Sequence, residues 1–289
     1  MERPVVKIKK SSMTLEFFQR LVKSGSAKLG LGLMIFIVLF CVIGPLFSGY
    51  DAEFIDTSLM NAPPSAEHIL GCDTLGRDML TRLMYGGRYS LLIGVLSAVL
   101  GALLGIAIGL VAGYFGGATE TLIMRFMDVW SALPGMLLCI LVSAAMGNGF
   151  LPTVIALTVG SIPGGVRMTR GQVLAERTRE YIEAAESIKC SKLSIMFRHL
   201  LPNVIQPSIV ITTMSIGGTI GMAASLSYIG LGIQPPAPEW GAMLADGRSY
   251  ILTYPHLIAV PGVAIALTVF AINLLGDGLR DALDPKLRG

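Results

Sequence analysis

EYIEAAESIKCSKLSIMFRHLLPN, residues 180–203, is a charged island in an otherwise oily half of the chain. Tyr181, Ala184, Ala185 and Ile188 recur at i, i+3, i+4 and i+7, the spacing that gathers residues on one helix face, with Glu180, Glu183 and Glu186 off it. Leu193, Met196, Phe197 and Leu200 repeat the pattern, and Pro202 is expected to end it. The stretch thus predicts two short amphipathic helices joined by a turn. Two readings are open for such an element between membrane spans. It offers a helix to a partner protein, whose backbone the adjacent alanines admit closely, or it lies as a surface helix on lipid headgroups.

The flanks of the island are apolar. Only 14% of the 289 residues are charged, 53% are hydrophobic, and the mean hydropathy is +0.69. Soluble domains carry about 25% charged residues, so the chain is read as an all-α polytopic membrane protein. Six spans are expected, at about 30–47, 90–115, 121–146, 150–168, 205–231 and 257–276. Gly147-Asn148-Gly149 separates the third from the fourth, and Pro134 and Pro163 are expected to kink them. The run after the basic arm is too long and too late for a signal-peptide core, so it is read as the first span. Ahead of it, Leu15, Phe18, Leu21 and Val22 form a stripe expected to lie on the membrane surface. The organisation expected is residues 1–88 as arm, first span and external polar segment, and 89–289 as a core of five spans with a loop at 176–203.

Three patterns mark packing or polarity within the spans. Gly101, Gly105, Gly109, Gly113 and Gly117 make a ladder at every fourth position, expected to seat another helix backbone to backbone. Ser208, Thr212, Ser215 and Thr219 put four hydroxyls on one face. They form either a polar wall of a solute path or a set of groups bonded back to their own helix. Leu75, Met79 and Leu83 suggest an amphipathic helix leading into the second span, while Arg125 and Asp128 are spaced for a local ion pair and Trp240 suits a membrane interface. Cys41, Cys72, Cys139 and Cys190 fall in spans or on opposite sides, which offers no disulfide framework, and the three histidines show no metal-ligand spacing.

Glu183-Ala184-Ala185 followed by Leu201-Pro202-Asn203 resembles the EAA loop of bacterial ABC-importer permeases. HILGCDTLGRDMLTRLMYGGRYSL (68–91), QPPAPEWGAML (234–244) and NLLGDGLRDALDPKLR (273–288) extend the likeness over about residues 65–289. They narrow it to the shorter permease of the dipeptide/oligopeptide/nickel group. The resemblance implies a type I ABC-importer permease fold in a bacterial inner membrane, paired with a sister permease, two ATPase subunits and an extracytoplasmic solute-binding protein. It also implies that Tyr181, Glu183, Ala184, Ala185, Ile188 and Lys189 couple to an ATPase groove. Arg at Ala185 is then expected to abolish uptake with insertion intact. A short peptide is the expected solute, with nickel or a metal chelate as the alternative. Where the family pattern has a glycine in the turn, this chain has Lys189, and a left-handed non-glycine residue costs about 1 kcal/mol.

Two readings of charge are independent of that likeness. Of 22 Lys and Arg, 18 fall in the N-terminal arm, the 115–125 and 167–200 loops and the tail, which places those segments and both termini in the cytoplasm. The spans carry almost no ionisable groups, against an ion-driven carrier. The chain has no phosphate-binding loop, so ATP and Mg are expected on partner subunits. No HExxH, GxSxG or intramembrane aspartate pair supports a membrane enzyme. No cofactor, metal or nucleic-acid partner is expected.

Overall fold

The computed structural model describes residues 24–283. The stripe expected at Leu15–Val22 and the end of the tail lie outside the described residues. Helices account for the fold: α1 Gly25–Val42, α2 Met79–Phe115, α3 Gly117–Trp130, α4 Gly135–Met146, α5 Phe150–Arg177, α6 Glu180–Ser187, α7 Lys192–Tyr228, α8 Trp240–Gly247 and α9 His256–Leu283. Among the described residues there is no strand, only an isolated bridge between Cys72 and Asp78. Five helices are long and apolar enough to cross a membrane, and six spans result if α3 and α4, bent at 80°, are counted together as one.

Each boundary that departs from expectation has a local cause. Asp78 caps α2 by accepting from the Thr81 amide at 2.8 Å, so Leu75 falls in the turn ahead of it. The amphipathic segment is thus the first part of the span itself, and residue 88 lies inside α2 rather than at a domain boundary. α3 and α4 meet at 80° across Ser131–Pro134, where Pro134 caps α4. Proline lacks the N–H that would continue the ladder. Pro202 does not end its helix. Residues Ile195–Leu200 adopt a π-helical register, and the Leu201 amide reaches back five residues to the Met196 carbonyl. The wider turn carries the chain past a residue that cannot donate, and α7 continues to Tyr228.

The glycine ladder finds its partner within this chain. A Cβ built on Gly105 would lie 2.9 Å from the Cα and C atoms of Gly165, and one on Gly109 2.7 Å from the Val166 carbonyl and 2.6 Å from Thr169 Cβ. Gly101 and Gly113 face Ser161 and Val173 in the same way, so α2 and α5 run as one seam. Gly117 is the exception. Nothing lies within 4 Å of its Cβ position, and its φ of +54° follows that of Gly116 at the break where α3 begins. Gly105→Ala is expected to cost about 1–3 kcal/mol, because its neighbours are backbone and cannot swing aside. At Gly117 only the conformational cost, about 1 kcal/mol, applies. Unfolding of the purified chain in detergent separates the two.

Other assignments are redrawn by long-range partners. Asp128 pairs at 3.1 Å with Arg167 of α5, not with Arg125, and Arg167 also donates to the Met127 carbonyl and Ser131 at the α3–α4 corner. Trp240 is buried, 1% exposed, rather than interfacial. Its indole donates to the Leu83 carbonyl at 2.8 Å, and Gly86 and Gly87 supply the space it fills. The four cysteines are free.

Candidate functional site

The 180–203 stretch forms α6, a turn and the start of α7. Ile182 and Ala185 point inward and join Leu110 and Tyr114 of α2, Val173 of α5, and Ile195, Met196, Leu200 and Val204 of α7 in one apolar cluster. The element is thus seated on the ends of three long helices at once. Its other side is bare: Tyr181 is 40% and Ile188 77% exposed, and Ala184 lies between them. This corrects the expected grouping. Ala185 is buried at 5% exposure and belongs to the inner face, so an arginine there would break the packing rather than test an outer surface. The same division runs through the second part, where Leu193 and Phe197 are exposed and Met196 and Leu200 buried.

Tyr181 is exposed by its ring and tied by its hydroxyl. The phenol donates to Glu176 at 2.6 Å and accepts from the Asn203 amide at 3.0 Å, bridging the end of α5 to α7. Partial burial and the Glu176 carboxylate push its pKa up to about 12, so it stays a donor across the physiological range. Glu180 and Glu183 sit in the first turn of α6, where the helix dipole favours negative charge.

The turn closes as a two-bond cap. Cys190 N–H donates to the Ala185 carbonyl at 3.0 Å and Lys189 N–H to the Glu186 carbonyl at 2.9 Å, the pairing of a Schellman motif. Its left-handed position is Lys189, φ +57°. Lys189→Gly removes a penalty of about 1–2 kcal/mol and adds unfolded-chain entropy of about 0.4–1 kcal/mol. The expected net gain, about 0.5–1 kcal/mol by that difference, slows exchange of the Cys190 amide about two- to fivefold. Exchange unchanged or faster contradicts this account.

The hydroxyl row on α7 resolves into donors already satisfied. Ser208, Thr212, Ser215 and Thr219 donate to carbonyls of their own helix, three or four residues earlier, at 2.7–2.8 Å. Ser208 is buried at 2% exposure and contacts Gln172, so it faces α5 and leaves any open wall. Thr212, Ser215 and Thr219 remain at least partly exposed, and nothing lies within 4 Å of the Cβ positions of Gly218 and Gly221 beside them.

At the opposite end of the molecule is a buried ion network that spacing did not bring out. Asp73 Oδ2 accepts from Arg77 Nε at 2.7 Å and contacts Arg82 Nε at 3.1 Å, while Oδ1 accepts from the Leu75 and Arg77 amides. Arg82 also donates to the Ala52 carbonyl at 2.9 Å and the Pro236 carbonyl at 3.3 Å, pinning three separate segments together. His68 pairs with Asp78 at 2.9 Å, and Ser90 donates to Glu239, which caps α8 through the Ala242 amide. The i, i+4 spacings Asp73–Arg77 and Asp78–Arg82 were the available signal, but only the first of the two is a pair.

Comparison with known proteins agrees with this architecture. Residues 105–289 match the family model "Binding-protein-dependent transport system inner membrane component", and residues 12–64 match "N-terminal TM domain of oligopeptide transport permease C". The glutathione transport system permease protein GsiD of Escherichia coli O157:H7 is 44% identical over 275 residues, 95% of this chain and 91% of the relative. The protein of the same name from Shigella dysenteriae serotype 1 is 43% identical over the same span. Among solved structures, an inward-facing MetNI methionine ABC transporter chain superposes with a TM-score of 0.59, covering 71% of this chain and 98% of that one. At 19% identity that likeness concerns the fold alone.

Proposed function

The chain belongs to the binding-protein-dependent transport system inner membrane component family and is the permease component of an ABC importer, and from that premise we propose that it carries short peptides and is driven through α6. The observation that carries the coupling reading is the two-sided seating of α6. Its inner face is locked to α2, α5 and α7 by Ile182 and Ala185, and Tyr181, Ala184 and Ile188 are left for a partner. An ATPase subunit that grips the outer face moves those three helices with it, because the apolar cluster and the α2–α5 seam leave no slack between them. Glu183 and Lys189 flank the gripped face.

The charge asymmetry supports α6 and both termini lying on the cytoplasmic side of a bacterial inner membrane. Thr212, Ser215 and Thr219 line the path at the junction with a sister permease. Their protons are engaged by helix carbonyls, so they present oxygen lone pairs to passing N–H groups. A peptide is the solute class with such donors along its length, and the GsiD relatives are named for glutathione, itself a tripeptide. An extracytoplasmic binding protein delivers the solute, and ATP and Mg act on the ATPase subunits.

The test is purification of the chain from its native membrane in mild detergent. Two ATPase subunits and a second permease are expected to co-purify with ATPase activity. A chain that emerges alone and inactive defeats the coupling reading.

A further inference from the structure

The end of α7 remote from α6 opens on a cavity of about 200 Å³. α7 has 37 residues, about 55 Å at 1.5 Å per residue, so the two sites sit at opposite ends of one helix. The cavity is lined by Ser227 and Tyr228 from the last turn of α7, by Gln234, and by Asp246 and Arg248 at the end of α8.

Three of these groups are incompletely satisfied. The Asp246 carboxylate accepts no hydrogen bond among the described residues. Its nearest cation, Arg77 Nη2, is 3.7 Å away, and its side chain is 30% exposed. Burial holds its carboxyl above the ordinary range, against the pull of Arg77 and Arg82. The Ser227 hydroxyl has no partner although the residue is 2% exposed. Arg248 lies over the Tyr228 ring and gives one contact, 3.3 Å, to the Tyr228 carbonyl. A guanidinium carries five donors, so most of its donors stay free. The last carbonyls of α7 are taken, those of Ser225, Leu226 and Ser227 by the Ile229, Leu231 and Gly230 amides and that of Tyr228 by Arg248.

The cavity therefore has an anionic side at Asp246 and a cationic side at Arg248, with neutral groups between. That is the complement of a small zwitterion. We propose that it is a transit subsite in which Asp246 takes the ammonium of a short peptide and Arg248 its carboxylate. The proposal rests on the short-peptide reading above, and it places selectivity for free termini in the permease as well as in the delivering protein.

The test uses the assembled transporter in vesicles with its ATPases and binding protein. The probes are tri-alanine, N-acetyl-tri-alanine and tri-alanine amide, with uptake normalised to the amount of complex. One binding protein serves throughout, so its own preference cancels between variants. Asp246→Asn is expected to lower uptake of free tri-alanine about tenfold, the loss of one charge-assisted contact, and to spare the N-acetyl peptide. Arg248→Gln is expected to do the same for the free carboxylate and to spare the amide. A merely structural role for either residue would depress all three probes alike, and that result overturns the proposal, as does unchanged uptake in both variants. If the unaltered transporter moves none of the three, the short-peptide reading itself fails and the subsite falls with it.

Discussion

Ala184→Arg is expected to abolish uptake while the chain inserts and folds normally. Ala184 lies on the bare side of α6, between Tyr181 and Ile188, and makes no part of the apolar cluster beneath. A guanidinium there reaches only Glu180, four residues back on the same exposed helix, and its bulk blocks the close approach that an alanine permits. A cation trapped in a protein interface without a partner from the other subunit costs about 3 kcal/mol, which at 1.4 kcal/mol per tenfold is on the order of a hundredfold in affinity. Solute-stimulated ATP hydrolysis and uptake in vesicles give the readout, with detergent unfolding as the control. Ala185→Arg is the necessary contrast. The same charge one residue along enters the cluster of Leu110, Val173 and Leu200 and is expected to destabilise the chain itself. Uptake by Ala184→Arg within twofold of the unaltered chain would defeat the assignment of the outer face.

Asp73→Asn is the second substitution of large effect, and it acts on stability. Asp73 is the single carboxylate contacting both Arg77 and Arg82, whose side chains are 2% and 1% exposed. Removing its charge leaves two guanidiniums buried, with only Asp246 at 3.7 Å from one of them. Loss of one partner of a buried pair costs about 3–5 kcal/mol. Replacing the whole cluster by apolar residues of similar volume, Asp73→Leu with Arg77→Met and Arg82→Met, is expected to recover most of that loss, because no buried guanidinium is left stranded and only the partly exposed Asp246 loses its nearest cation. The Ala52 and Pro236 carbonyls would lose their donor, so recovery stays incomplete. Urea or thermal unfolding in detergent measures both. A single variant as stable as the unaltered chain, or a triple variant less stable than the single one, contradicts this view of the cluster.

What the sequence disclosed was whatever depends on neighbours along the chain. Hydropathy marked the spans, glycine at every fourth residue marked the α2 seam, and the left-handed position fell where Lys189 stands. The phase of α6 was not legible. An eight-residue helix with Tyr181, Ile182, Ala184 and Ala185, capped by Ile188, has two apolar arcs, and periodicity cannot say which one is covered. Coverage is decided by Leu110, Val173 and Leu200, which come from three other helices. The same limit explains Asp128, whose partner Arg167 is 39 residues away while Arg125 offers a plausible local one. Pro202 misled for another reason. The rule that proline stops a helix assumes α-helical spacing, and six residues of π register set that assumption aside.

The 37 residues of α2 make a rod of about 55 Å, against a hydrocarbon layer of about 30 Å. Such a rod stands well clear of the bilayer, and its fusion to α5 along the glycine seam makes it hard to bend. Pivoted near its midpoint, a rotation of about 5° carries each tip about 2.4 Å in opposite directions, by the same geometry. A stroke that small at the tip bearing Leu110 and Tyr114 is passed undiminished to the far tip, where Arg82 holds Ala52 and Pro236. On the coupling reading proposed above, the gearing between the two ends of the molecule is close to one to one, and an ATPase subunit would have only ångströms to travel.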